Sequence, residues 1–219
     1  MPTSELTPRE DRPVRNVRHV VLSDIGRLVV RQGEVESLQV ESDRQMLPNI
    51  SSIMNGDTLE LGMSRSWSER IANSFTLRHV TYHLTVKNLE SVDLKGISNL
   101  EISRLEGKSL EVSTRGHISV KIEGINVRKL TCKFHWATNA LLSGEATQQE
   151  VILSGSSKYR APNLVSQQGS FVLSDTAQAE VNVEKKIVVE TSGEGFLQYK
   201  GNPKVVTKGR GGGTQQQTW

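Results

Sequence analysis

The stretch VDLKGISNLEI (92–102) carries the pattern from which the fold is read: an apolar pair in alternation, a short polar bend, then a second alternating apolar pair. It returns as LEVSTRGHISV (110–120), LTCKFHWATNALL (130–142), VILSGSSKYRA (151–161), FVLSDTAQAEV (171–181) and IVVETSGEGFLQ (187–198), offset by 18, 20, 21, 20 and 16 residues. Period-two alternation describes a half-buried strand. A unit this short cannot bury its own apolar face, so it must stack on its neighbours. The expected fold is therefore all-β, a parallel β-solenoid (β-helix-like) of about six or more coils, with an N-terminal β segment and one short helix or lid.

Composition supports a β core. The chain has 219 residues, enough for one long all-β domain, and its mean hydropathy is −0.40. Apolar runs are only a few residues long, so no transmembrane segment is expected. The N-terminus shows neither a basic region leading into an apolar one nor a small-residue cleavage site, so no secretory signal is visible. Cys132 is alone, which excludes an internal disulfide, and its place in the alternation reads as small core. Net charge is +3, but residues 199–219 carry Lys200, Lys204, Lys208 and Arg210 without an acid. Without them the balance is 23 basic against 24 acidic residues, or −1. The body is not a polyanion binder, and no specific nucleic-acid partner is expected.

The organisation follows from the pattern. Residues 1–13 are polar, contain Pro2, Pro8 and Pro13, and read as a disordered arm. Residues 14–86 read as N-terminal β coils or a cap: strands around an Asp24-Ile25-Gly26 turn, a strand ending near Asp43, and a hairpin signalled by Asn55-Gly56. Within this segment a short helix is expected near 66–73, where Ser66 and Glu69 have capping-box spacing and Trp67, Ile71 and Phe75 recur every fourth residue. Residues 87–207 hold the repeats, and 208–219 read as a disordered basic tail.

Several of these segments carry a resemblance. LVVRQG (28–33) ends a strand-turn-strand unit, the Asn-Gly hairpin leads into Leu59-Glu60-Leu61, a strand runs into LESVDLKG (89–96), and the repeats close on Tyr199-Lys200-Gly201-Asn202-Pro203. Together they resemble the bacterial family known as "putative auto-transporter adhesin, head GIN domain", over about residues 14–207. The resemblance implies a right-handed parallel solenoid, export or association with the cell envelope, and adhesion without an established catalytic site. Two bends, Phe134-His135-Trp136-Ala137 and Asp175-Thr176-Ala177, carry larger residues than the Ser-Gly bends typical of that family. The Tyr199–Pro203 motif also has a physical reading as a stop, since Gly201 accepts left-handed backbone and Pro203 donates nothing to a ladder.

Stacked bends are where a ladder of side chains forms one site. They supply Lys95, Arg115, His117, His135, Trp136, Lys158, Tyr159 and Asp175. Acids stand singly among bases, with no converging oxygen ligands for calcium, so a polysaccharide-active enzyme of the β-helix type is only the alternative. His79 and His83 share a strand face without further ligands, and no catalytic residue, metal or cofactor is expected. His135, Trp136, Lys158 and Tyr159 form either an aromatic recognition patch or the filling of a corner. Arg65, Trp67 and Arg70 form either a stacking loop between two cations or part of a lid over a sheet edge. The expected function is a non-catalytic adhesion or scaffold module that recognises surface carbohydrate or protein, with homo-oligomeric assembly as a further possibility.

Overall fold

One strand of 63 residues, β8 (Ser91–Leu153), runs through the middle of the molecule. Drawn straight it would be about 200 Å long at roughly 3.3 Å per residue, whereas a domain of this size has a radius of gyration of about 17 Å. It must therefore wind. It bends at left-handed residues, among them Gly96, Arg104, Gly116, Gly124 and Trp136. The structure is a computed structural model that describes residues 7–64, 80–208 and 214–217.

Before β8 come β1 (Arg9–Arg12), β2 (His19–Leu22), β3 (Ile25–Gln32), β4 (Ser37–Glu41), β5 (Ile50–Asn55), β6 (Thr58–Met63) and β7 (Thr81–Val86). After it come β9 (Lys158–Leu173), β10 (Gln178–Thr191), β11 (Phe196–Lys200), β12 (Lys204–Lys208) and β13 (Thr214–Gln217). All belong to one 13-stranded sheet, whose main path is β1-β4-β7-β3-β8-β9-β10-β11-β13. Alternation along each strand sends one set of side chains inward. In β9 the buried set includes Tyr159, Ala161, Phe171 and Leu173, and in β8 it includes Leu94, Phe134 and Leu153. The inward residues merge into a single apolar core from Val17 to Leu197.

This arrangement overturns the expected parallel β-solenoid. β1 runs antiparallel to β4, β4 antiparallel to β7, and β5 antiparallel to β6. The sheet is mixed, and it curls around its core as a nearly closed barrel. The twenty-residue period does survive as a pairing offset, with Lys158 beside Gln178 and Phe171 beside Val189. An offset fixes neighbours in that part of the sheet only. Period-two alternation is the same in parallel and antiparallel strands, and the short N-terminal strands are free to pair antiparallel across short connections.

Several local expectations have definite outcomes. Asn55-Gly56 does form a hairpin, with Asn55 opposite Thr58 and Gly56 at φ 65. Gly at the first central position and an ordinary φ at Asp57 give the II′ type, which suits strand twist. Arg9–Arg12, in the stretch read as an arm, is the strand β1, and Thr214–Gln217 in the basic tail pairs with β11. The Tyr199–Pro203 motif is a corner and not a stop. Gly201 turns at φ 94, where a β-carbon would lie 2.3 Å from the Val183 carbonyl oxygen, and the chain continues into β12 beside β10. The helix expected at 66–73, together with Arg65, Trp67, Arg70 and His79, lies outside the described residues. Among the described residues the helical element is a single 3-10 turn, Leu47–Asn49.

Candidate functional site

The bends are in contact from layer to layer. A β-carbon on Gly96 would sit 2.2 Å from the Asp24 carbonyl oxygen, one on Gly116 2.0 Å from that of Gly96, and one on Gly155 2.4 Å from that of Trp136. The Gly116 and Trp136 bends are tied by a buried hydrogen bond between the hydroxyls of Thr114 and Thr138, 2.7 Å apart. Asp175 and Gly193 continue the column. Every member has positive φ, including Asp24 at 78°, Trp136 at 78° and Asp175 at 59°. Gly and Asp tolerate this region; a bulky aromatic there is an outlier that costs about 1–3 kcal/mol.

Trp136 is therefore the exception in its column, and most of its surface faces solvent, since the residue is 64% exposed. Its backbone is held in place by the next layer. Ser156 N–H donates to the Trp136 carbonyl at 2.7 Å, and the Ser156 hydroxyl donates to the same oxygen at 3.3 Å. On the layer beyond, the Asp175 carboxylate accepts from Gly155 N–H at 2.8 Å.

The residue before it, His135, opens onto a groove of about 810 Å³ on the outer face of β8, where Lys95, Arg115 and Lys133 also project and His19 of β2 closes one side. Its Nδ1 lies 2.8 Å from Ser154 Oγ. Lys133 Nζ donates to Glu111 at 2.7 Å, and this hydrogen bond holds the lysine above its ordinary pKa. Lys95 pairs with Asp93 at 3.2 Å, and Glu90 pairs with Arg18.

One constellation in the groove calls for a chemical test. Ser91 Oγ is 2.8 Å from His19 Nδ1, and His19 Nε2 faces Asp57 at 3.8 Å. The imidazole–carboxylate distance is too long for a hydrogen bond. The N–H groups of Glu90 and Ser91 both donate to Arg18 O, at 2.7 and 3.2 Å, which leaves neither of them for an oxyanion. His19 and Ser91 are register partners in the β2–β8 ladder, and His135 meets Ser154, just past the end of β8, through a similar imidazole–hydroxyl contact. These are cross-strand pairs that steady the groove wall.

The residues read as either an aromatic patch or the filling of a corner separate. Trp136 and Lys158 are exposed, whereas Tyr159 is fully buried. Lys158 is already the first residue of β9, so alternation turns Tyr159 inward. There its ring lies 6.2 Å from that of Phe134, and its hydroxyl donates to Gln149 Oε1 at 2.8 Å. Tyr159 is corner filling, and burial pushes its pKa up. His83 contacts Glu41 at 2.9 Å near the β1 edge, away from the groove lining. Cys132 is buried in the core and its thiol is pushed up by desolvation. No group of three or more His, Cys, Asp or Glu suited to a metal occurs among the described residues.

A family profile described as "Putative auto-transporter adhesin, head GIN domain" matches residues 17–203. The chain belongs to this family. This head GIN domain also shares its fold with solved structures. A putative adhesin from Bacteroides fragilis aligns at TM-score 0.85 and 20% identity over 98% of both chains. A putative adhesin from Parabacteroides merdae aligns at TM-score 0.74 and 14% identity, covering 99% of this chain and 98% of that one. A putative lipid binding protein from Parabacteroides distasonis aligns at TM-score 0.72 and 13% identity with the same coverage. No curated protein matches the sequence. Among the described residues of this head GIN domain, no helix is long and apolar enough to cross a membrane.

Proposed function

We propose that this head GIN domain is a non-catalytic adhesion module that binds carbohydrate at the Trp136 bend and along the adjoining groove. The observation that carries this reading is Trp136 itself, an exposed indole held in left-handed backbone at a position where the neighbouring layers use Gly or Asp. Strain retained at a solvent-facing aromatic points to a role in contact with a ligand. An indole face stacks on the C–H face of a sugar ring, and serines along the groove, Ser91, Ser109 and Ser113, offer hydroxyls to its edge. Membership of an adhesin family agrees with surface recognition.

The test is retention of the protein on immobilised bacterial and plant polysaccharides, with release of reducing ends recorded in the same wells. Binding that Trp136→Ala abolishes without loss of fold supports the proposal. Release of new ends would replace it with an enzyme, and binding unaffected by Trp136→Ala would remove the site.

A further inference from the structure

We infer that the saccharide taken at this site is acidic, with its carboxylate or sulfate group on Arg115 and its ring on Trp136. The inference rests on the reading of Trp136 as a sugar platform and adds the charge of the ligand.

All but one of the permanent charges that line the groove are held in ion pairs. Four permanent cations line it: Lys95, Arg115, Lys129 and Lys133. Three are committed, Lys95 to Asp93, Lys129 to Glu150 at 2.7 Å, and Lys133 to Glu111. The three acids that line the groove are committed as well, Asp93 and Glu111 to those lysines and Glu90 to Arg18. Arg115 is left. It is exposed, and its guanidinium has no ion pair or hydrogen bond with any described residue. An incoming anion therefore meets one uncommitted guanidinium and no uncommitted carboxylate.

Position joins this guanidinium to the indole. Arg115 directly precedes Gly116 and follows Thr114, whose hydroxyl is bonded to that of Thr138 two residues beyond Trp136. Arg115 and Trp136 thus stand at facing bends of adjacent layers, where strands lie about 4.8 Å apart. His135, the residue before the indole, lines the groove. A guanidinium binds a carboxylate or sulfate through two parallel N–H donors, which a lysine cannot reproduce. One layer away the indole offers a flat apolar face. A ring bearing an anionic substituent satisfies both at once.

The experiment uses three acidic glycans, each with a neutral counterpart on the same backbone. These are polygalacturonate against its methyl ester, a sulfated galactan against the desulfated polymer, and a sialylated glycoprotein against its desialylated form. Phosphatidylserine vesicles form a further arm. The wild-type chain is expected to bind at least one acidic member about tenfold more tightly than its counterpart, and this preference should shrink as salt is raised. Arg115→Gln should remove the preference for the acidic member while leaving the melting temperature unchanged, and Arg115→Lys should restore only part of it. Equal binding of acidic and neutral members, lost in Trp136→Ala, would overturn the inference and leave the carbohydrate reading standing. Absence of binding to every glycan would overturn both, and binding to vesicles alone would assign Arg115 to a lipid surface.

Discussion

Trp136 offers a sharp test because its backbone and its side chain make opposite demands. Replacing it by Ala or Gly removes the same indole contacts. The residue is 64% exposed, so about a third of its surface is lost from the interior. That is roughly 90 Å² of a side chain that can bury up to about 250 Å², or about 2 kcal/mol at 25 cal/mol per Å². The two variants then part company. Ala keeps a β-carbon in left-handed backbone at φ 78, at a cost of about 1–2 kcal/mol. Gly has no such cost but loses about 0.5–1 kcal/mol through the freedom of its unfolded chain. Trp136→Gly should therefore be more stable than Trp136→Ala by about 0.5–1 kcal/mol. In an ordinary strand the order is reversed. The assay is urea unfolding followed by far-ultraviolet circular dichroism, with melting curves alongside; the difference corresponds to about 1–4 °C in Tm for a chain of this length. An Ala variant equal to or more stable than the Gly variant would refute the left-handed assignment and with it the claim that strain is kept for the sake of the indole.

Tyr159→Phe leaves the buried Gln149 Oε1 without its donor and should cost about 1–3 kcal/mol in urea unfolding, whereas Tyr159→Phe combined with Gln149→Leu should recover part of that loss. Glu41 is held below the ordinary carboxylate range, first by its hydrogen bond to His83 and then by Arg9. A depressed folded pKa gives stability that is present above the unfolded value, about 4.3, and lost as pH falls through the folded one. Unfolding free energy between about pH 5 and 2 should accordingly fall less steeply in Glu41→Gln than in the wild type. Cys132 is buried with its thiol pushed up, so maleimide labelling should be negligible in buffer and follow the global unfolding curve in urea; fast labelling of the native protein would show that the core opens at the middle of β8.

Much of the fold was legible because alternation is a direct record of burial. Phe171, Leu173, Ala179 and Val181 all point inward where the pattern puts them. The Asn55-Gly56 hairpin was legible because a two-residue turn demands residues that accept positive φ. The antiparallel pairing of β1 and β4 was not, since strand direction leaves no trace in a period-two pattern. For Tyr159 the pattern leaves patch and corner both open, because SGSSKY reads as a bend, whereas strand β9 already begins at Lys158 and alternation turns the ring inward. The groove was hidden by sequence distance, with His19 paired to Ser91 across 72 positions. A signal for Trp136 did exist. Laying the copies over one another from their opening residues puts it level with Gly116 and Gly193, and an aromatic in line with glycines is a query in itself.

The unequal reach of the pairings sets an order of assembly. β10 and β9 are 17 to 20 positions apart in register, and β13 and β11 are 18 apart, so each new layer of the C-terminal half closes a short loop. β2 and β3 instead find partners in β8 only after 72 further residues, with Ile25 beside Ile97. The extra closure entropy is only about 1 kcal/mol, but on a ribosome adding about 5–20 residues per second the wait is about 4–14 s. For that interval the edge of each strand that faces β8 is uncovered, although β2 meets β6 and β3 meets β7 on the other edge sooner. The exposed arginines of β3, Arg27 and Arg31, keep its edge from meeting the same strand on another nascent chain.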